Sequence, residues 1–204
     1  EMARRRAHVP LQAFLNGRLV GRLTRQASGA IDFRYELDWL NWAAALPVSL
    51  SLPLREDRYL GAPVIAVFDN LLPDSDAIRR RMAERLGAAG TDAYSLLAVI
   101  GRDCVGALQF LPDGDAPGTP GTVAGEPIGQ RGIADILSNL TTAPLGLGPD
   151  QDFRISIAGA QEKTALLWYQ GRWHRPHATT ATTHILKPQI GTLPNGLDLS
   201  SSVE

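Results

Sequence analysis

The chain has 204 residues, 44% of them apolar and 20% charged, which supplies material for a buried core and differs from the polar composition of disordered proteins. A formal net charge of −1 gives no global positive field for holding nucleic-acid phosphates, so direct DNA binding is not expected. Cys104 stands alone, which excludes an internal disulfide and suits a reducing cytoplasm, and no apolar run reaches the ~18 residues of a membrane span.

Residues 1–12 lack the apolar stretch of a secretory signal, and the basic run Arg4-Arg5-Arg6 reads as a solvated tail. Two apolar-rich runs, 11–15 and 18–23, flank Asn16-Gly17, a pair suited to the positive φ angles of a type I′ turn, and so predict a hairpin. Ile31, Phe33 and Tyr35 alternate with Asp32 and Arg34 as in a half-buried strand, completing a small antiparallel sheet. A short helix is expected over 39–45, and an edge strand over 47–54, where Val48, Leu50, Leu52 and Leu54 alternate and Pro53 donates no ladder hydrogen bond.

Residues 64–72 fit one buried helical face broken by Pro73, after which Asp74 or Ser75 can cap a helix running to Leu86 and stopping at Gly87. Arg79, Arg80, Arg81 and Arg85 of that helix read as a solvated basic face. Another helix, begun by Thr91-Asp92, is expected over 94–100 and closed by Gly101, then a strand over 104–111. Residues 112–127 are rich in proline and glycine and predict a linker, a helical pattern resumes over 128–140, and 144–152 is again loop-like. A boundary is expected near Asp150, giving an amino-terminal subdomain, 1–150, and a β-rich segment, 151–204. In the latter, strands 164–169 and 172–175 flank a Gln170-Gly171 turn, and a third covers 183–187 up to Pro188.

The chemistry concentrates at Ser156-Ile157-Ala158-Gly159-Ala160-Gln161-Glu162-Lys163, a side-chain-poor bend between two strands. Successive backbone N–H groups of such a bend can form an anion-binding nest that approaches a polyphosphate closely; the same residues can also make a plain tight hairpin. The pattern is not a Walker loop, which needs glycine directly before Lys-Ser/Thr and a helix after it. Lys187 lies on a strand some twenty residues further on, and kinase-like sites pair a strand-flanked loop over the phosphates with a strand lysine that contacts them. His174 and His177 have a two-ligand spacing but no third ligand nearby, so no metal site is expected. Trp39, Trp42, Trp168 and Trp173 read as core or subdomain-contact residues, and no nucleophile-elbow pattern supports hydrolase chemistry.

These motifs, in this order, resemble the HipA toxins of bacterial type II toxin–antitoxin systems. The likeness runs through Phe14-Leu15-Asn16-Gly17 and Val20-Gly21, Leu50-Ser51-Leu52-Pro53-Leu54, Phe68-Asp69-Asn70-Leu71-Leu72-Pro73-Asp74 and Gly101-Arg102-Asp103-Cys104-Val105-Gly106. It continues through the Ser156 loop, Thr183-His184-Ile185-Leu186-Lys187 and Asp198-Leu199-Ser200. The resemblance implies an α+β chain: a small mixed antiparallel subdomain, then the β-rich N-lobe part of a phosphatidylinositol-kinase-like protein kinase fold. It implies a serine/threonine kinase using ATP and Mg²⁺, with Ala158, Gly159, Ala160, Gln161, Glu162 and Lys163 as ATP loop, Lys187 as phosphate-contacting lysine and Ser156 as autophosphorylation site. It also implies a HipB-type DNA-binding antitoxin as partner, DNA contact mainly through that antitoxin, and an aminoacyl-tRNA synthetase as protein substrate.

Phosphoryl transfer needs a carboxylate to orient the attacking hydroxyl and Asp/Asn ligands for Mg²⁺. In HipA proteins these come from a later, mostly helical lobe, and only 17 residues follow Lys187. No catalytic residue is therefore assigned here, and the chain alone is expected to be inactive. The competing expectation is a stand-alone binding module that restrains a separate kinase, a role residues up to about Asp150 could serve.

Overall fold

The computed structural model describes residues 8–103, 108–119, 121–142, 163–177, 180–188, 191 and 196. They divide into two compact units between Val123 and Ala124.

In the first unit, strands β1 (Leu11–Leu15) and β2 (Arg18–Arg25) form the expected hairpin, with Asn16 and Gly17 at φ 49° and 76° as a type I′ turn requires. A bulge between Ala13 and Phe14 shifts the register. β3 (Ile31–Tyr35), β4 (Tyr59–Leu60) and β5 (Leu108–Pro112) complete an antiparallel sheet in the order β4-β3-β2-β1-β5. Helix α2 (Ala62–Asp69) packs against β3, β4 and α4 (Ala93–Ile100), and α4 also meets α3 (Asp76–Leu86) and β5. An aromatic file runs through this core: Phe33 lies 5.3 Å from Phe68, which lies 5.2 Å from Phe110.

The helix signals hold where capping chemistry is explicit. Ser75 accepts from the Ile78 N–H and Asp92 from the Ser95 N–H, so α3 and α4 begin where their caps stand. The expected helix over 39–45 is instead the short α1 (Leu37–Leu40), with turns after it. The expected edge strand over 47–54 is a loop with one isolated bridge, Ser49 to Leu52. Pro47 and Pro53 remove two ladder donors, and aromatic side chains hold the loop in place of strand neighbours: the Tyr35 hydroxyl donates to Leu52 O and accepts from Val48 N–H, and Trp39 Nε1–H donates to Leu46 O. The alternation there misled, since Leu52 is buried while Leu50 is 94% exposed. Arg79 is not solvated: its side chain is 11% exposed, and its guanidinium bonds Asp69 Oδ1 at 2.6 Å and Pro73 O at 2.6 Å, tying α2 to α3. The expected strand over 104–111 is described only from Leu108, and residues 104–107, with Cys104, lie outside the described residues.

The second unit is a four-stranded antiparallel sheet, β6 (Gly125–Ile128), β8 (Arg172–Pro176), β7 (Thr164–Tyr169) and β9 (His184–Leu186) in that spatial order. α5 (Gln130–Thr142) packs on β7 through a face that buries Ile136 and Leu140. The end of the expected linker is thus a strand: β6 pairs with β8 from Gly125 opposite Pro176 to Ile128 opposite Trp173. Thr180 Oγ1 accepts from the Ala124 N–H at 2.8 Å, anchoring that entry. These bonds join residues 124–142 to the second unit, upstream of the boundary expected near Asp150. No helix among the described residues is long and apolar enough to cross a membrane.

Candidate functional site

The candidate lysines sit at one end of the second unit's sheet. β7 and β9 are antiparallel, with Thr164 opposite Leu186, Ala165 opposite Ile185 and Leu166 opposite His184. Lys163 immediately precedes β7 and Lys187 immediately follows β9, so continuing the register by one residue sets them opposite each other. Side chains alternate along a strand, which places Lys163 and Lys187 on the face of Ala165 and Ile185. Two residues 24 positions apart in sequence thereby stand at the same end of the β7–β9 pair.

Like charges directly opposite one another on a sheet repel, whereas an anion held between them turns that repulsion into attraction. A triphosphate suits such a pair, because each ammonium offers three N–H donors on a flexible stem and needs no fixed bidentate geometry. Lys163 is the first described residue after the small-residue sequence. Ser156, Ala158, Gly159, Ala160, Gln161 and Glu162 lie outside the described residues.

The opposite face of the same strands carries an aromatic group. Trp168 and Trp173 are register partners with ring centroids 5.0 Å apart, and Trp173 meets His184 edge-on at 4.8 Å. Trp168 is 44% exposed and Trp42 38%, so of the four tryptophans Trp39 alone is fully buried. At the start of β9, Thr183 donates its backbone N–H to Leu166 O at 3.0 Å, and its Oγ1 accepts the Trp168 N–H at 2.7 Å. The sequence placed Thr183 at the start of the expected strand over 183–187 and in a motif of the family likeness, but gave it no role of its own; the observed strand begins one residue later. His174 and His177 do not converge on a ligand set: His174 lies edge-on to Tyr169 at 6.2 Å, while the His177 backbone N–H bonds Ala124 O. Among the described residues no group of three or more His, Cys, Asp or Glu side chains could hold a metal.

Comparison with known proteins adds the family. Residues 11–111 match the family model described as HipA N-terminal domain. Over 187 residues the chain is 37% identical to a putative kinase of Sinorhizobium fredii, Y4mE, an alignment covering 90% of this chain and 44% of that protein. Over 179 residues it is 28% identical to the serine/threonine-protein kinase toxin HipA of Shewanella oneidensis, covering 87% of this chain and 39% of the toxin. The fold is similar to a chain in the solved complex of Shewanella oneidensis HipA, HipB and their operator DNA, with a TM-score of 0.61 and 25% identity over 86% of this chain and 39% of that one. The chain spans less than half the length of these relatives. The family match over the first unit's sheet, together with likenesses in sequence and fold that continue into the second, places the chain in the HipA family as its amino-terminal portion.

Proposed function

We propose that this chain is the ATP-holding amino-terminal part of a HipA-type serine/threonine protein kinase toxin. Its second unit is then the N-lobe part of a phosphatidylinositol-kinase-like fold, in which Ala158, Gly159, Ala160, Gln161, Glu162 and Lys163 cover the ATP phosphates and Lys187 contacts them. The observation that supports this reading is the register of β7 on β9, whose continuation by one residue sets Lys163 opposite Lys187. ATP supplies the phosphoryl group and Mg²⁺ neutralises developing charge. The catalytic carboxylate and the Mg²⁺ ligands are assigned to the part of the relatives that this chain does not span, so the chain alone binds nucleotide weakly and transfers no phosphate.

Autophosphorylation at Ser156 would switch the site off. A phosphoserine adds roughly −1.5 to −2 charges next to a loop that must hold phosphates, and repulsion then opposes ATP binding. Control also comes from a HipB-type antitoxin, supported by the relative solved with HipB and operator DNA. Contact with DNA runs mainly through that antitoxin, since this chain carries a net charge of −1. The protein substrate of the whole kinase is an aminoacyl-tRNA synthetase, and its compartment the cytoplasm.

The test is ATP affinity of the full-length protein. Lys187→Ala is expected to weaken binding about tenfold or more, the scale of losing one charge-assisted contact to phosphate. Unchanged affinity would remove the kinase reading and leave the binding-module alternative, for which the self-contained first unit is the natural candidate.

A further inference from the structure

The nucleotide site depends on a strand of only three residues. β9 is joined to β7 by three register pairs, and its outer side has no strand neighbour among the described residues. Side chains alternate with a period of two, so a slip of one residue would carry Lys187 to the opposite face, away from Lys163. Something beyond the regular ladder must pin the register.

Thr183 does so at the end of β9 remote from the lysines. Its backbone N–H bonds Leu166 O at 3.0 Å, and its Oγ1 accepts the Trp168 N–H at 2.7 Å, so one residue grips β7 at two points. The same Oγ1 lies 2.8 Å from His184 Nδ1 and 3.5 Å from Leu166 O. The hydroxyl's single proton goes to Leu166 O or to His184 Nδ1, and the tautomer of the imidazole decides which. The His184 ring packs on Trp173 at 4.8 Å, and Trp173 packs on Trp168 at 5.0 Å. Thr183, Trp168, Trp173 and His184 thus form a closed circuit across three adjacent strands. Threonine suits its place in the circuit because branching at Cβ restricts χ1 and holds Oγ1 in one direction.

We infer that Thr183 is a positioning residue for the nucleotide site, a clamp that sets the register of β9 on β7 so that Lys187 faces Lys163. The inference deepens the proposed function and takes its ligand from that reading, while the clamp itself is observable without nucleotide. Valine at 183 keeps the branched shape and strand preference but removes every bond of the hydroxyl; serine keeps the hydroxyl.

Thr183→Val and Thr183→Ser are compared in the full-length protein, with Lys187→Ala alongside. Hydrogen exchange at the Trp168 amide reads the clamp directly, and Thr183→Val is expected to speed it about tenfold while Thr183→Ser stays within about twofold of the parent. The same valine variant is expected to raise KM for ATP about five- to tenfold with kcat changed less than about twofold, because a displaced ammonium loses ground-state and transition-state binding alike, and serine restores KM. Unchanged exchange at Trp168 in Thr183→Val would overturn the clamp. Faster exchange with unchanged KM would reduce it to a structural contact and overturn the positioning role. Unchanged ATP affinity in Lys187→Ala would instead sink the kinase reading, while the exchange result judges the clamp separately.

Discussion

Replacing Tyr35 by phenylalanine removes a single oxygen from the first unit and tests how the loop over residues 47–54 is held. That oxygen donates to Leu52 O at 2.5 Å and accepts from the Val48 N–H at 3.0 Å, in a residue only 2% exposed. The ring keeps its place, since its contacts with Phe33 at 5.0 Å and Tyr59 at 6.4 Å do not involve the hydroxyl. A net hydrogen bond is worth about 1 kcal/mol and a buried partner left unpaired costs about 1–3 kcal/mol, so Tyr35→Phe should lose on the order of 2 kcal/mol. In a unit of this size 1 kcal/mol shifts the melting temperature by at least about 4 °C, giving a fall of roughly 8 °C in thermal unfolding followed by circular dichroism.

The pH dependence supplies a second readout of the same bond. Burial raises the Tyr35 hydroxyl from its ordinary value near 10 to about 12, with the nearby Tyr59 adding to the effect and the hydrogen bond from Val48 N–H opposing it. Above pH 10 the unfolded chain loses this proton while the folded chain keeps it, so the unfolded state binds fewer protons and stability falls as pH rises. The stabilisation is complete below about pH 10 and is withdrawn up to about pH 12, by at most roughly 2–3 kcal/mol at 1.4 kcal/mol per unit. Phenylalanine has no such proton, so the variant's alkaline loss should be smaller than the parent's by that amount. A melting shift under about 2 °C, or identical alkaline curves, would refute the idea that this hydroxyl fastens the loop.

Arg79→Ala should destabilise the first unit by about 2–3 kcal/mol, read as a lower urea midpoint with unchanged slope, because it removes the ties to Asp69 and Pro73 while leaving the half-exposed Asp69 carboxylate open to water. A solvated arginine would instead give a loss of no more than about 0.5 kcal/mol. Gly21→Ala should cost about 2–3 kcal/mol or more in the same assay, since a Cβ there would stand 2.4 Å from Arg34 O and 2.7 Å from Phe33 Cζ, atoms of a core strand that cannot retreat.

Local chemistry was legible in the sequence wherever it is self-contained. Asn16-Gly17 and Gln170-Gly171 give hairpins because each pair's positive φ angles belong to the turn itself, and Ser75 and Asp92 fix helix starts through bonds three residues away. Elements failed where a distant partner decides. Residues 46–54 alternate in part like a strand, but tyrosines and a tryptophan from 6 to 17 positions away hold them as a loop. Arg79 looked solvated because Arg80 and Arg81 follow it, yet Asp69, ten residues earlier, draws it inward. The strand at Gly125–Ile128 was hidden by its proline and glycine content, since its pairing comes from Arg172–Pro176, nearly fifty residues on.

The candidate site divides along the same line. Lys163 and Lys187 could be named from sequence because cations after a small-residue bend and on a strand before proline are unusual side by side with apolar neighbours. Their relation could not, because it depends on which residue of β9 faces which residue of β7, and three apolar or aromatic residues fit either face equally well by composition. Register is a discrete variable: with His184 opposite Leu166 the continued ladder sets both lysines on one face, and a shift of one sets them on opposite faces. A phosphate site built this way inherits its precision from whatever fixes that register, so the bonds of Thr183 matter to the lysines although they lie at the far end of the strand.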